Sequence, residues 1–272
     1  MLFRKHEMRN EHVQPDILPT VDHLLAYSRN RYGDVNKHGW RVRMRHRFGY
    51  FAPEASYEVV VDRLVKEGTR WIDAGGGKTV FPHNEDLSRA LSQRCNLLVG
   101  VDPSGNVAQN PFVHERAQCT IEEYDSERSF DLVTLRMVAE HISEPDLAVA
   151  ALARLVRPGG HVVIYTPNRW SPVSLATAVI PNRLHQPITN LLWRTKEEDV
   201  FATLYRMNTR KELRTHFEKG GFKEVAFAYL DSCYTFQRFR WSCYLELALW
   251  RMFQAIGLKY PETNLLGVYE KA

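Results

Sequence analysis

From Trp71 to Thr166, apolar runs of strand length alternate with stretches whose apolar residues recur every three to four positions. Trp71-Ile72 ends in Asp73 and a glycine loop, which predicts a buried first strand. Tyr57 to Gly68 reads as a helix with a glycine stop before that strand, and Glu85 to Gln93 as the crossover helix after it. Asn96 to Val101 is a second strand running into Asp102, and a weaker third lies near Ala117-Gln118-Cys119. Ser129 to Leu135 is the fourth. Ser143 is placed to cap the next helix, with Pro145 in its first turn and Asp146 at its positive end. Leu147, Ala151, Leu155 and Val156 keep its apolar spacing until Arg157-Pro158-Gly159-Gly160 stops it before strand His161 to Thr166. Such alternation argues for parallel βαβ units.

The two ends break this rhythm. Residues 1 to about 50 are polar and rich in His and Arg, which predicts a helical cap with a mobile start. Near the other end, Thr209-Arg210-Lys211-Glu212 is a capping box opening a helix that carries Leu213 and Phe217 and closes at Gly220-Gly221. Strand Phe222 to Leu230, an aromatic insert from Asp231 to Glu262 and a last strand from Asn264 to Tyr269 follow. Two strands bracketing such an insert can pair antiparallel at a sheet edge.

The glycine loop Gly75-Gly76-Gly77 allows a ligand to approach backbone that side chains would otherwise cover. A strand-end carboxylate such as Asp102, one βαβ unit further on, suits a pair of ribose hydroxyls. Together they predict a nucleotide-type cofactor. Gly77-Lys78-Thr79 resembles the end of a P-loop, but that motif needs a glycine where the chain has Ile72. An NAD fingerprint would need glycine at Val80. Asp73 at the loop entrance repels a pyrophosphate and suits a cationic ligand, such as the amino group of S-adenosylmethionine (SAM).

These pieces, in this order, resemble the class I SAM-dependent methyltransferases. The resemblance rests on Asp73 to Gly77, Val101-Asp102, Ile121-Glu122-Glu123, Phe130 to Val133, Glu140-His141-Ile142, Leu155 to Gly160 and Thr166-Pro167-Asn168. It covers about Trp71 to Phe222, with the last strand completing it. It implies a doubly wound, Rossmann-like α/β sheet of seven strands in the order 3-2-1-4-5-7-6, strand 7 antiparallel. It also implies that Asp73, Ala74, Gly75, Gly76 and Gly77 hold the methionine part of SAM. Asp102 with Pro103 would take the ribose, Ile121 and Glu122 would flank the adenine, and Arg136 and Met137 would close over the cofactor. Thr79 stands where the family often has a further glycine.

His141 follows the fourth strand, where the family places its methyl-transfer pocket, so it is the candidate base; packing beneath the cofactor is its other reading. Tyr165 and Asn168 could position substrate. Arg41, Arg43, Arg45 and Arg47 fall at every second position, either gripping an anionic substrate or forming a solvated face. Tyr32 and Trp40 just upstream suit a lid. The chain then divides into a cap, residues 1–55, and a SAM-binding domain, residues 56–272, with insertions at about 169–205 and 231–262. In this family such insertions build the substrate pocket. Trp170 and the aromatic residues of both segments suit a lipophilic or aromatic acceptor, although core packing or a dimer interface would use them equally well.

Composition adds limits. A net charge of +4 over 272 residues does not by itself predict nucleic acid, and no aromatics interleave the arginine run. Four scattered cysteines and no apolar leader suggest a reduced, cytoplasmic protein, and no stretch is long and apolar enough to span a membrane. The eleven histidines show no metal-ligand spacing, so metal-independent transfer yielding S-adenosylhomocysteine is expected. The leading reading is methyl transfer from SAM to an oxygen, nitrogen or carbon nucleophile of a small molecule. RNA or protein methylation through Arg41–Arg47 is one alternative. A non-methylating descendant that binds SAM, as a cyclase or a binding protein, is another. An NAD oxidoreductase is the last.

Overall fold

The computed structural model describes residues 17–172, 174–175 and 202–272. The start of the expected cap and most of the expected insertion at 169–205, with Trp193, lie outside the described residues. One seven-stranded sheet runs in the order β3-β2-β1-β4-β5-β7-β6. Its strands are β1 (Arg70–Ala74), β2 (Leu97–Val101), β3 (Glu115–Ala117), β4 (Phe130–Arg136), β5 (Val156–Pro167), β6 (Phe222–Asp231) and β7 (Glu262–Lys271). The five strands from β3 to β5 pair in parallel. β7 is antiparallel to both β5 and β6, so β6 rather than the last strand forms the edge.

Period-two burial divides the core between the two faces. Ile72, Ala74, Val133 and Leu135 join one apolar cluster with α5 (Pro145–Leu155) and α6 (Arg210–Lys219). Trp71, Leu132 and Val163 join the other with α3 (Pro53–Leu64) and α4 (Glu85–Arg94). Two helix starts depart from expectation. Glu144, not Ser143, is the N-cap of α5, and it makes no side-chain cap bond. Pro145 at the first position lacks an N–H that would need capping, and Asp146 is drawn to His216 and Lys219 of α6 at 2.8 and 2.5 Å. At α6 Thr209 accepts from Glu212 N as predicted, but the Glu212 carboxylate reaches back one residue further, to Asn208 N.

The N-terminal cap is helical, with α1 (Val21–Tyr32) and α2 (Trp40–Phe48). In a helix of about 3.6 residues per turn, every second position falls on nearly opposite sides, so the four arginines make no single face. Arg45 turns inward: its guanidinium lies 4.2 Å from the Tyr234 ring and donates to Gln237 Oε1 at 2.8 Å. This ties α2 to the 231–262 insert, which carries α7 (Arg240–Ala255). Tyr50, Cys233, Cys243 and Leu247 form a third apolar cluster, and Trp40, Met44 and Trp250 pack against it. Cap and insert are therefore one layer. α1 is latched separately: the Tyr27 hydroxyl and the Asn84 amide both donate to the buried Glu58 carboxylate, and Arg31 donates to His83 O at 2.8 Å.

Candidate cofactor and active site

β1, β2 and β4 end side by side, with Ala74 beside both Val101 and Leu135. The carboxyl edge of a doubly wound sheet is where ligands bind. Asp73 is 1% exposed at this edge, one oxygen accepting from Thr134 Oγ1 at 2.8 Å. Trp71 Nε1 in turn donates to that hydroxyl at 2.8 Å, which fixes its orientation. Burial pushes the Asp73 carboxyl up to about 7, against the opposing pull of Thr134 and Arg136.

The loop that follows is shaped by its glycines. Gly75 has φ +74°, and a Cβ there would lie 2.1 Å from Val138 Cγ2. A Cβ on Gly76 would lie 2.4 Å from Asp73 Oδ2. Gly77 N donates to Asp102 Oδ2 at 2.9 Å, and Ser104 N donates to the other Asp102 oxygen at 2.8 Å. Asn110 is fully buried and donates its amide to Gly77 O at 3.3 Å. Thr79 N closes the turn onto Gly76 O at 3.1 Å. Nothing in the sequence pattern marks Thr134 or Asn110 for these roles, because their partners lie on other strands and loops.

The other expected cofactor residues surround this loop at varying depth. Ile121 is buried and Glu122 half-buried, in the turn after β3, while Pro103 is exposed after β2. Arg136 ends β4 opposite Tyr165. Met137 follows in the left-handed region, φ +55°, with its N–H donating to Tyr165 O at 2.7 Å. A non-glycine residue held at positive φ marks local strain of the kind found at ligand sites.

His141 closes the short 3-10 turn after β4. Its Nδ1 lies 3.1 Å from Ala202 O, which can only accept, so Nδ1 donates there; Nε2 is 4.0 Å from Glu140 Oε1. Glu140 is buried, accepts from Thr166 Oγ1 at 2.8 Å, and has its carboxyl raised by burial. Asn208 Nδ2 donates to the same threonine at 2.7 Å. In the sequence Glu140 stood within the Glu140-His141-Ile142 piece of the resemblance, with no role assigned to it. Tyr165 is buried and stacked on Tyr57 at 5.5 Å. The Asn168 amide is engaged at both ends: Nδ2 donates to Glu262 O at 2.9 Å, and Oδ1 accepts from Trp170 N at 3.1 Å.

The expected substrate residues lie on different elements. Trp40 packs into the cap cluster with the exposed Arg41 over its ring, Tyr32 stacks edge-on against His38, and Trp170 is exposed after β5. Among the described residues, no group of three or more His, Cys, Asp or Glu is placed to hold a metal ion, and no helix could cross a membrane.

SAM fits this edge on the structure's own terms. Asp73 Oδ2 and Thr79 Oγ1 are buried with no partner. A buried acceptor left unpaired is costly, and a cationic amino group would satisfy the carboxylate. Fold and site together define a binder of a nucleotide-type cofactor with a cationic part.

The comparisons agree. A family model described as a methyltransferase domain matches residues 43–226. The ubiquinone biosynthesis O-methyltransferase of Alkalilimnicola ehrlichii is 35% identical over 124 residues, 42% of this chain and 47% of that protein. The match thus spans about half the length of that relative. Geranyl diphosphate C-methyltransferase of Streptomyces coelicolor shares the fold at a TM-score of 0.51 and 14% identity, over 90% of this chain and 86% of that one. A SAM-dependent methyltransferase from Mesorhizobium loti does so at 0.50 and 17%, over 76% and 93%. The chain belongs to the class I SAM-dependent methyltransferases.

Proposed function

We propose that this chain transfers a methyl group from SAM to an oxygen, nitrogen or carbon nucleophile of a small lipophilic or aromatic molecule, without a metal. The observation that carries the reading is the buried Asp73 carboxylate, which keeps one oxygen unpaired beside a glycine loop where a Cβ would collide with it. The relatives named for an O-methyltransferase of ubiquinone biosynthesis favour a small acceptor and an oxygen nucleophile. When bound, the cofactor supplies a methyl group on a sulfonium, open to in-line displacement. Asp73 and Gly75 to Gly77 would hold its methionine part, Asp102 its ribose, and Ile121 with Glu122 its adenine.

The chain's own contribution is mainly orientation, and well-held reactants reach effective molarities of about 10⁵ M or more. His141 Nε2 is the atom that would take a proton, with Nδ1 held on Ala202 O. Buried Glu140, 4.0 Å from Nε2, would stabilise the charged imidazole in its ionised form. Tyr165 walls the site, and Asn168 acts by holding the turn that carries Trp170. Tyr32, Trp40 and Arg41 enter as parts of the cap that excludes water.

Titration calorimetry with SAM, S-adenosylhomocysteine, NAD and ATP tests the reading. Micromolar binding of the first two alone supports it; no binding of either by folded protein ends it. In the same assay Asp102→Ala should weaken SAM binding roughly tenfold or more, about 1.4 kcal/mol. Unchanged affinity would remove Asp102 from the ribose site. His141→Ala should spare SAM affinity and slow turnover by about 10²-fold or more if the imidazole is a base. Loss of SAM binding in that variant would place His141 beneath the cofactor instead.

A further inference from the structure

α7 is apolar on two opposite faces. Cys243 and Leu247 face the cap cluster. On the far side, Trp241, Leu245, Leu249, Met252 and Ile256 recur at helical spacing and are between 44 and 67% exposed. Helices of globular proteins normally turn one apolar stripe inward, and a second one left in water marks an interaction surface.

The charges around this stripe are one-sided. Between Gln237 and Leu258 the chain carries Arg238, Arg240 and Arg251 but a single acid, Glu246. That acid is 3% exposed and is occupied by the N–H groups of Thr235 and Phe236, both at 3.1 Å. α2 packs alongside through Phe48 and Tyr244, whose rings are 5.3 Å apart, and adds exposed Arg41, Arg43 and Arg47 with no acid between Trp40 and Phe48. The exposed charged side chains of α7, and of α2 beside it, are therefore cationic, next to an exposed apolar stripe.

We propose that this face of α7 docks on an anionic lipid bilayer, the helix lying in the plane of the headgroups. Aromatic and aliphatic residues on one side with flanking arginines are the pattern of an interfacial helix. A second copy of the chain is disfavoured, since a two-fold interface would set these arginines against one another. RNA would complement the charge but leaves Leu245, Leu249, Met252 and Ile256 without a role, since bases stack on aromatic rings. The surface is separate from the cofactor loop and does not depend on the identity of the methyl acceptor.

The test is co-sedimentation of the full chain with vesicles of phosphatidylcholine alone or with a quarter phosphatidylglycerol. Binding should be roughly tenfold or more tighter on the anionic vesicles and should weaken between about 0.1 and about 0.5 M salt. Leu245→Glu with Met252→Glu should abolish it, whereas Leu147→Glu, on exposed α5 surface, should not. Circular dichroism checks folding. Should the double variant misfold, Trp241→Ser alone should still lower binding several-fold. Binding that ignores these substitutions, or no binding by the folded chain, overturns the proposal. So does a dimer in sedimentation equilibrium that Leu245→Glu dissociates, or RNA binding without vesicle binding.

Discussion

Alanine at Gly75 is expected to cost about 2–4 kcal/mol of stability, combining the left-handed penalty for a residue with a Cβ and overpacking against the half-buried Val138. The geometry leaves no easy escape. The glycine sits at φ +74°, and the new methyl would lie 2.1 Å from Val138 Cγ2. Gly75 N is also held by Val101 O at 2.7 Å, so the backbone cannot slide along the sheet edge without losing that bond. Any shift moves the loop in front of Asp73, and SAM affinity should fall with stability. Denaturant melts and calorimetry on the same preparation measure both. Val138→Ala in the Gly75→Ala background removes the methyl collision but not the backbone penalty, so it should restore part of the stability and not all. Full stability in Gly75→Ala alone would show that the loop is not the close-packed element described.

Most of the sheet was legible because its central strands are apolar runs closed by a polar or glycine signal, whereas β3 (Glu115–Ala117) is short and polar and lies just before the Ala117-Gln118-Cys119 stretch expected for it. Asp73, Asp102 and Gly159-Gly160 punctuate the sequence where β1 and β2 end and β5 forms. The glycine loop itself was legible for the same reason. What supports the loop was not. Thr134 orients Asp73 from β4 and Asn110 holds the loop carbonyls from beyond β2, contacts that no local pattern records. The union of α2 with the insert depends on pairs such as Arg45 with Gln237, 192 positions apart. Period two among the arginines suggested one shared face; helix geometry distributes them, and the inward one became a strut between cap and insert. The Ser143 cap failed because the helix opens one residue later, with Pro145 at its first position and Glu144 as N-cap.

SAM affinity should rise with pH up to about 7, and Asp73→Asn should remove that rise. The Asp73 carboxyl is raised by burial from its ordinary value of 3.8 to about 7. In the protein without ligand, a raised acid means the folded state keeps its proton after the unfolded state has lost it. Stability from this group is therefore lost as pH climbs between those two values and levels off above them. A cationic amino group beside the carboxylate reverses the preference, since it favours the ionised form. Binding below the raised value then releases a proton, and affinity should increase by up to about tenfold per pH unit until Asp73 is ionised. The asparagine variant keeps the shape and a bond to Thr134 but carries no titrating charge. At pH 8 it should bind SAM about 10- to 100-fold more weakly, the value of a charge-assisted hydrogen bond. The same variant should be more stable than the parent at pH 8, because no buried ionised carboxylate remains. Weaker binding joined to higher stability is a combination that general damage to the fold would not produce. Calorimetry at pH 6, 7 and 8 in buffers of different ionisation enthalpy counts the released protons. A proton release that persists in Asp73→Asn would assign the titration to another group and leave Asp73 without its role.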